Sequence, residues 1–312
     1  MDADKDNAPH TAPDNAPEQA DASKRPPVLT SPRVLRELLA SRGIRPRKRL
    51  GQHFLIDRNI LDIIVDALDL HHQDRVLEIG AGVGTLTQPL AASGAQVVAV
   101  EVDGRFAAAL AEAVGTPPNV RFVYDDVLAL DLESLLADGP WKIAGNLPYY
   151  VTTPILARLL EVRDRIERMV VTVQREVADR IGAPPGGRDY GALSVMAQFH
   201  CHVDRVAAVS RHCFYPEPDV ESVILRLRIR QQPAVTVADQ GLFFAVVRAA
   251  FGQRRKTLAN ALAGARFAFD RPVPDLLRSV GIDPGRRGET LSLEEFASLA
   301  NRLREEGVTT GD

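Results

Sequence analysis

The chain predicts an α/β fold, a mainly parallel, doubly wound sheet followed by a small helical domain, and three observations carry that expectation. Between Val76 and Val173, short β-branched and apolar runs alternate with helical or turn segments. One of these strands opens directly into the glycine-rich turn Gly80-Ala81-Gly82-Val83-Gly84, as expected where an open sheet meets a ligand. Beyond Gln231-Gln232-Pro233, apolar residues recur only at helical spacing. With 312 residues, 45% apolar and 25% charged, the chain is long enough to bury one large domain and a smaller one.

Residues 1–32 are rich in Ala, Pro and Asp with almost no large apolar side chains. They bury too little to offset chain entropy and read as a disordered tail. Six acids against three bases in this stretch account for the whole net charge of −3, so the remainder is balanced. Val34, Leu35, Leu38 and Leu39 give a short amphipathic helix before the basic run Arg45-Pro46-Arg47-Lys48-Arg49, and a second helix is expected near Arg58–Leu68.

Strands follow at Val76–Ile79, Val97–Glu101, Val120–Tyr124, Lys142–Ala144 and Met169–Val173, with two more near Val203–Val209 and Val223–Ile229. Thr153 as N-cap and Pro154 as first helical residue mark a helix after the fourth strand. Residues 33–231 thus form the first domain. Residues 232–312 form the second, with helices over Leu242–Phe251, Thr257–Leu262, Pro274–Val280 and Leu293–Leu303, the last opened by a Ser292/Glu295 capping box.

No apolar run approaches the ~20 residues that cross a bilayer, and the N-terminal stretch lacks a signal peptide's apolar centre. A cytoplasmic protein with no membrane partner is expected. Cys201 and Cys213 form neither a CxxC nor a His/Cys cluster, so they read as buried thiols and no metal is expected. No apolar stripe demands a dimer, which leaves a monomer as the expectation.

The chemistry-bearing residues fall at strand ends. Gly80 and Gly82 let a ligand approach the backbone. A dinucleotide motif would place its third glycine one residue later than Gly84, so the spacing favours a nucleoside without pyrophosphate. Glu101 ends the next strand, about twenty residues on, where an acid can accept both ribose hydroxyls. Asp125-Asp126 ends the third strand, and Asp126 is the choice for an adenine amine. The fourth strand ends in Asn146-Leu147-Pro148-Tyr149. Here the Asn146 side-chain carbonyl and the Leu147 backbone carbonyl can each accept one hydrogen of an aromatic amine, Pro148 fixes the backbone, and Tyr149 offers a ring face to a base. S-adenosylmethionine fits the first group of residues and a nucleobase amine the second.

These residues, with Arg49-Leu50-Gly51-Gln52-His53-Phe54-Leu55, Glu78 to Gly84, Glu101-Val102-Asp103, Phe214-Tyr215-Pro216-Glu217-Pro218-Asp219-Val220-Glu221-Ser222 and Glu289-Thr290-Leu291-Ser292, make the chain resemble the bacterial small-subunit (16S) ribosomal RNA adenine N6,N6-dimethyltransferases, whose loss confers kasugamycin resistance. The likeness runs from about Pro46 to Leu303. It implies a class I, Rossmann-like S-adenosylmethionine-dependent methyltransferase, with cofactor contacts at His53, Leu55, Gly80, Glu101, Asp126 and Asn146, and Phe214 stacked on the target base opposite Tyr149. At position 53 many relatives carry Asn. The implied reaction dimethylates two adjacent adenosines in a hairpin loop near the 3′ end of 16S rRNA in a pre-30S particle, linked to small-subunit biogenesis. Arg47, Lys48 and Arg49, with Arg254, Arg255 and Lys256, would then grip phosphates.

Four rivals share parts of this pattern. A large-subunit rRNA dimethyltransferase has the same chemistry, but the long C-terminal helical region argues against it. An assembly factor acting mainly by binding is compatible with the same surface. A DNA amine methyltransferase would need a target-recognition insert that is missing, so no DNA partner is expected, and a nicotinamide dehydrogenase leaves Asn146–Tyr149 without a purpose.

Overall fold

In the computed structural model, the structure describes residues 27–48, 51–265 and 267–308. Arg49, one of the expected phosphate contacts, lies outside them. The described chain folds as β1 (Phe54–Leu55), α2 (Arg58–Leu68), β2 (Arg75–Ile79), α3 (Thr87–Ala92), β3 (Gln96–Val100), α4 (Ala107–Val114), β4 (Val120–Val123), α5 (Leu132–Leu135), β5 (Trp141–Asn146), α6 (Thr152–Glu161), β6 (Ile166–Gln174), α7 (Arg175–Ile181), α8 (Ala192–His200), β7 (Cys201–Val209), β8 (Phe214–Tyr215) and β9 (Ser222–Ile229), preceded by α1 (Pro32–Ser41). Four helices close the chain: α9 (Gln240–Gly252), α10 (Leu258–Ala263), α11 (Val273–Ser279) and α12 (Leu293–Glu305).

Seven strands form one sheet in the order β4-β3-β2-β5-β6-β9-β7. The first five are parallel, and β9 enters antiparallel between β6 and β7. Alternation along the strands sends Leu77, Ile143, Met169 and Val171 into one core layer and Val76, Val97, Ala144 and Val170 into the other. Both faces are therefore covered, as a mostly parallel sheet requires. The strand order reverses between β2 and β5, which places the ligand crevice at their carboxyl ends.

The tail expected over residues 1–32 needs correction at its end. Leu29 is buried beside Leu35, Leu38 and Leu39 of α1, and Ser31 caps that helix with Pro32 in its first turn. One apolar side chain and a strong helix start are enough to hold residues 27–31 in place. Residues 1–26 lie outside the described residues.

Two further expectations are corrected. Helix α6 begins at Thr152 rather than after Thr153, because the Pro148 carbonyl already accepts the Val151 N–H at 3.1 Å and the Thr152 hydroxyl at 3.0 Å, so the chain coils one residue earlier. The pair β1/β8 was not foreseen; two-residue strands carry no periodicity. It joins Phe54 to Tyr215 and Leu55 to Phe214.

The C-terminal helices pack around Leu242, Phe243, Leu262, Leu277 and Phe296, and the capping box on α12 forms as expected. Their core reaches back into the first domain. Tyr190 and, on α8, Val195 and Phe199 are buried in it, with the Phe199 and Phe243 ring centroids 4.8 Å apart. Ala197 of the same helix is buried in the sheet core. No helix among the described residues is long and apolar enough to cross a membrane.

Candidate active site

The tips of β4, β3, β2 and β5 line one cavity of about 440 Å³, closed on its far side by residues of the 47–55 segment. That volume lies in the range of small-molecule sites. Along it the sequence-predicted residues line up in the order of the strands.

At the β3 tip, Glu101 is buried. Its Oε2 accepts the Gly82 N–H at 2.7 Å and its Oε1 the Asp103 N–H at 2.8 Å. Burial pushes its pKa up while these backbone bonds pull it down. Each oxygen keeps a lone pair for a hydroxyl. Gly82 makes this possible: its φ is +57°, and a Cβ there would sit 2.8 Å from the Phe54 ring. Asp103 is held down to about 2, chiefly by the Arg105 side chain, and also accepts the Gln52 amide at 2.9 Å. Because Gln52 in turn accepts the Arg47 N–H at 2.8 Å, the basic segment is laced to the acid end of the cavity. At the β4 tip, Asp126 accepts the Leu128 N–H on one oxygen at 2.9 Å and is exposed.

At the β5 tip, the Asn146 amide nitrogen donates to the His53 carbonyl at 2.6 Å. That bond fixes which way the amide points. Its Oδ1 is buried with no hydrogen-bond partner, and an acceptor left so costs roughly 1–3 kcal/mol. The Leu147 N–H is taken by Thr172 at 3.1 Å, while its carbonyl accepts no bond among the described residues. His53 is buried; its Nδ1 lies 2.6 Å from the Pro216 carbonyl. A carbonyl only accepts, so Nδ1 carries the hydrogen. The His53 ring stacks on Tyr149 at 5.6 Å and 23°, and the Tyr149 hydroxyl bonds Ser222 at 2.6 Å.

The structure brings His53, Leu55, Gly80, Gly82, Glu101, Asp126, Asn146 and Pro148 to the cavity wall, and Arg47 joins them. Phe214 is not there. Its ring is buried in the core against Leu55 and Ile224, because the β1/β8 pairing turns it inward; its expected stack on the base is corrected accordingly. Tyr149 also lies off the wall, one face covered by His53. Besides the buried Phe54 and Phe106, the cavity is lined by Tyr150, 56% exposed, which sequence reasoning passed over for its neighbour. None of Arg254, Arg255 and Lys256 reaches the cavity; they are exposed in the turn between α9 and α10. The Arg254 guanidinium donates to the Arg188 and Tyr190 carbonyls at 3.0 and 2.7 Å, so part of its role is to tie that turn down.

Glu78, quoted in the glycine motif without a task, was also missed. It is almost wholly buried on the cavity wall, and burial pushes its pKa up to about 8.

The model of the family described as ribosomal RNA adenine dimethylase matches residues 43–305. The ribosomal RNA small subunit methyltransferase A of Pelotomaculum thermopropionicum is 48% identical over 291 residues, 90% of this chain and 99% of that protein. Its namesake in Geobacillus kaustophilus is 45% identical, covering 88% and 97%. Among solved structures, the 23S rRNA methyltransferase ErmE superposes with a TM-score of 0.62 at 29% identity, over 80% of this chain and 99% of that one. A dimethyladenosine transferase from Plasmodium falciparum superposes at 0.69 and 24% identity over 82% and 98%, a likeness of fold.

Proposed function

The chain belongs to the ribosomal RNA adenine dimethylase family, and from that membership we propose that it places two methyl groups on the exocyclic nitrogen of each of two adjacent adenosines in a hairpin loop near the 3′ end of small-subunit rRNA. It acts as a monomer in the cytoplasm on a small subunit still being assembled. The relatives at 45% and 48% identity are named for the small subunit, whereas the likeness to the 23S enzyme stops at 29%. That gap favours the small-subunit target over the large.

S-adenosylmethionine supplies an electrophilic methyl on a sulfonium. The residues fit it: Glu101 takes the ribose hydroxyls, Asp126 the adenine amine, and Gly80, Leu55 and His53 complete the wall. The observation that carries the reaction is the unpartnered Oδ1 of Asn146, aimed by the bond from its own amide to His53. An adenine amine is a poor nucleophile because its lone pair is delocalised into the ring. Accepting its hydrogens on Asn146 Oδ1 and the Leu147 carbonyl would draw the nitrogen toward a pyramidal shape and free the lone pair for attack on the methyl, the N–C bond forming as the sulfonium's S–C bond breaks, the thioether leaving and one amine proton passing to water. As positive charge develops there, the same two dipoles stabilise it without reorganising. Pro148 and Tyr149 hold the turn, and the exposed Tyr150 ring offers a stacking face to a splayed-out loop base. Arg47, Lys48, Arg49, Arg255 and Lys256 supply phosphate contacts.

Transfer of labelled methyl to small subunits lacking the modification, followed by nucleoside analysis, tests the proposal. Dimethyladenosine in small-subunit rRNA is the expected product; label only in large-subunit rRNA would move the enzyme to the 23S branch.

A further inference from the structure

Ser222 opens β9 and is fully buried, and the reaction described above gives it no task. It stands between Gln174 of β6 and Val209 of β7 in the sheet, so its backbone is fixed by partners on both sides. Its hydroxyl lies 2.6 Å from that of Tyr149. A hydroxyl sunk this deep is costly unless it is paired, and burial keeps the Tyr149 phenol protonated, by raising its pKa, so that two neutral hydroxyls share the bond.

From Ser222 a chain of contacts runs to the reacting centre. Tyr149 carries the His53 ring on one face, with centroids 5.6 Å apart and planes 23° from parallel. His53 is gripped at its other end by the Pro216 carbonyl, 2.6 Å from Nδ1, and its own carbonyl accepts the Asn146 amide at 2.6 Å. Pro216 and Ser222 bracket a single loop. One short segment therefore holds both rings. The main chains are close as well: a Cβ on Gly51 would fall 2.9 Å from the Tyr149 nitrogen. An Asn amide has two orientations, one presenting its oxygen and the other its NH2 group. The His53 carbonyl only accepts, so it selects the orientation that leaves Oδ1 bare. Anything that loosens the Tyr149 ring loosens the residue that makes this choice.

We propose that Ser222 is a positioning residue for methyl transfer: by holding the Tyr149 phenol it fixes the Tyr149–His53 stack and, through the His53 carbonyl, keeps Asn146 Oδ1 turned toward the substrate amine. Ser222 touches neither cofactor nor base and acts only through Asn146. Small errors of aim at a reacting group are expensive, and the supporting contacts set that aim. The proposal rests on the role assigned to Asn146, which is tested separately by the same experiment.

A double-mutant cycle with Asn146 separates positioning from packing. Methyl transfer by the full chain is measured on small subunits lacking the modification, with cofactor and RNA each varied to saturation. Ser222→Ala should lower kcat at least about tenfold, while the KM for RNA and the S-adenosylhomocysteine affinity by calorimetry stay within about twofold. In an Asn146→Ala background, where nothing is left to aim, the same change should cost less than about twofold in kcat. Tyr149→Phe removes the bond from its other end and should reproduce both results, which keeps the test open if Ser222→Ala fails to fold. Equal losses in the wild-type and Asn146→Ala backgrounds would make Ser222 a packing residue and overturn the proposal. So would an unchanged kcat in both single variants, or a rise in the KM for RNA alone. Undiminished methylation by Asn146→Ala itself would strike instead at the role of Asn146.

Discussion

The two ends of the cavity are prepared in opposite ways. At the end proposed for adenosine, both Glu101 oxygens already accept backbone N–H groups and Asp126 is tied to Leu128. These acids are held in place by the fold and keep lone pairs to spare. At the end proposed for the reaction, Asn146 donates one N–H to the His53 carbonyl and leaves its acceptor bare. A satisfied group gains modestly from a ligand, whereas an unsatisfied buried acceptor recovers its full desolvation penalty when an amine arrives. In the proposed assignment, recognition is built on completed hydrogen bonds and chemistry on an incomplete one.

Substitutions can break or sharpen this contrast. The largest effect is expected beneath both ends. Phe214→Ala empties a core position behind β1 and should cost about 3–5 kcal/mol of stability, read by urea unfolding; an unchanged midpoint with methylation alone lost would put the ring back against the base. At the reaction end, Asn146→Ala should lower kcat about 10²–10³-fold with a much smaller change in S-adenosylhomocysteine affinity by calorimetry. Equal losses in both would erase the distinction between the ends. At the adenosine end, Glu101→Ala should weaken S-adenosylhomocysteine by about 1.5–3 kcal/mol, with turnover at saturating cofactor largely kept. Tyr150→Ala should raise KM for RNA by an equivalent of ~1–3 kcal/mol without touching cofactor binding, and an unaltered KM would remove the ring from the RNA path.

The smallest effect is on the empty protein. Folding raises the Glu78 pKa from 4.5 to about 8, so the folded state holds that proton longer than the unfolded chain does. Stability from this group is therefore lost as pH rises between those values. Glu78→Gln should melt higher than wild type at pH 8 and alike at pH 4; the same difference at both would mean that the side chain matters for packing only.

Much of this was legible in the sequence. The seven long strands announce themselves through apolar alternation, and the Gly80–Gly84 turn, Glu101, Asp126 and Asn146 fall at their tips because parallel strands deliver chemistry to one edge. What escaped depends on pairing and burial. Nothing in Phe54-Leu55 or Phe214-Tyr215 shows that the two pair, so the inward turn of Phe214 could not be read. Arg254 looks like any cation until the Arg188 and Tyr190 carbonyls appear beside it. Glu78 stands in plain view before the glycines, but a residue's solvation is a property of its neighbours, and those come from β3, β5 and α3.

Helix α8 belongs to two cores, with Ala197 buried against the sheet and Val195 and Phe199 against the C-terminal helices. Such a helix limits how these enzymes can be recombined. A chimaera joined at residue 232 would part Phe199 from Phe243 and leave each parent's half facing a stranger's side chains. The smallest transplantable unit starts near Ala183, the first residue of the C-terminal core, and carries α8, β7 and the inserted strand β9 with it. Whatever the C-terminal helices contribute in this architecture is inherited together with one edge of the sheet.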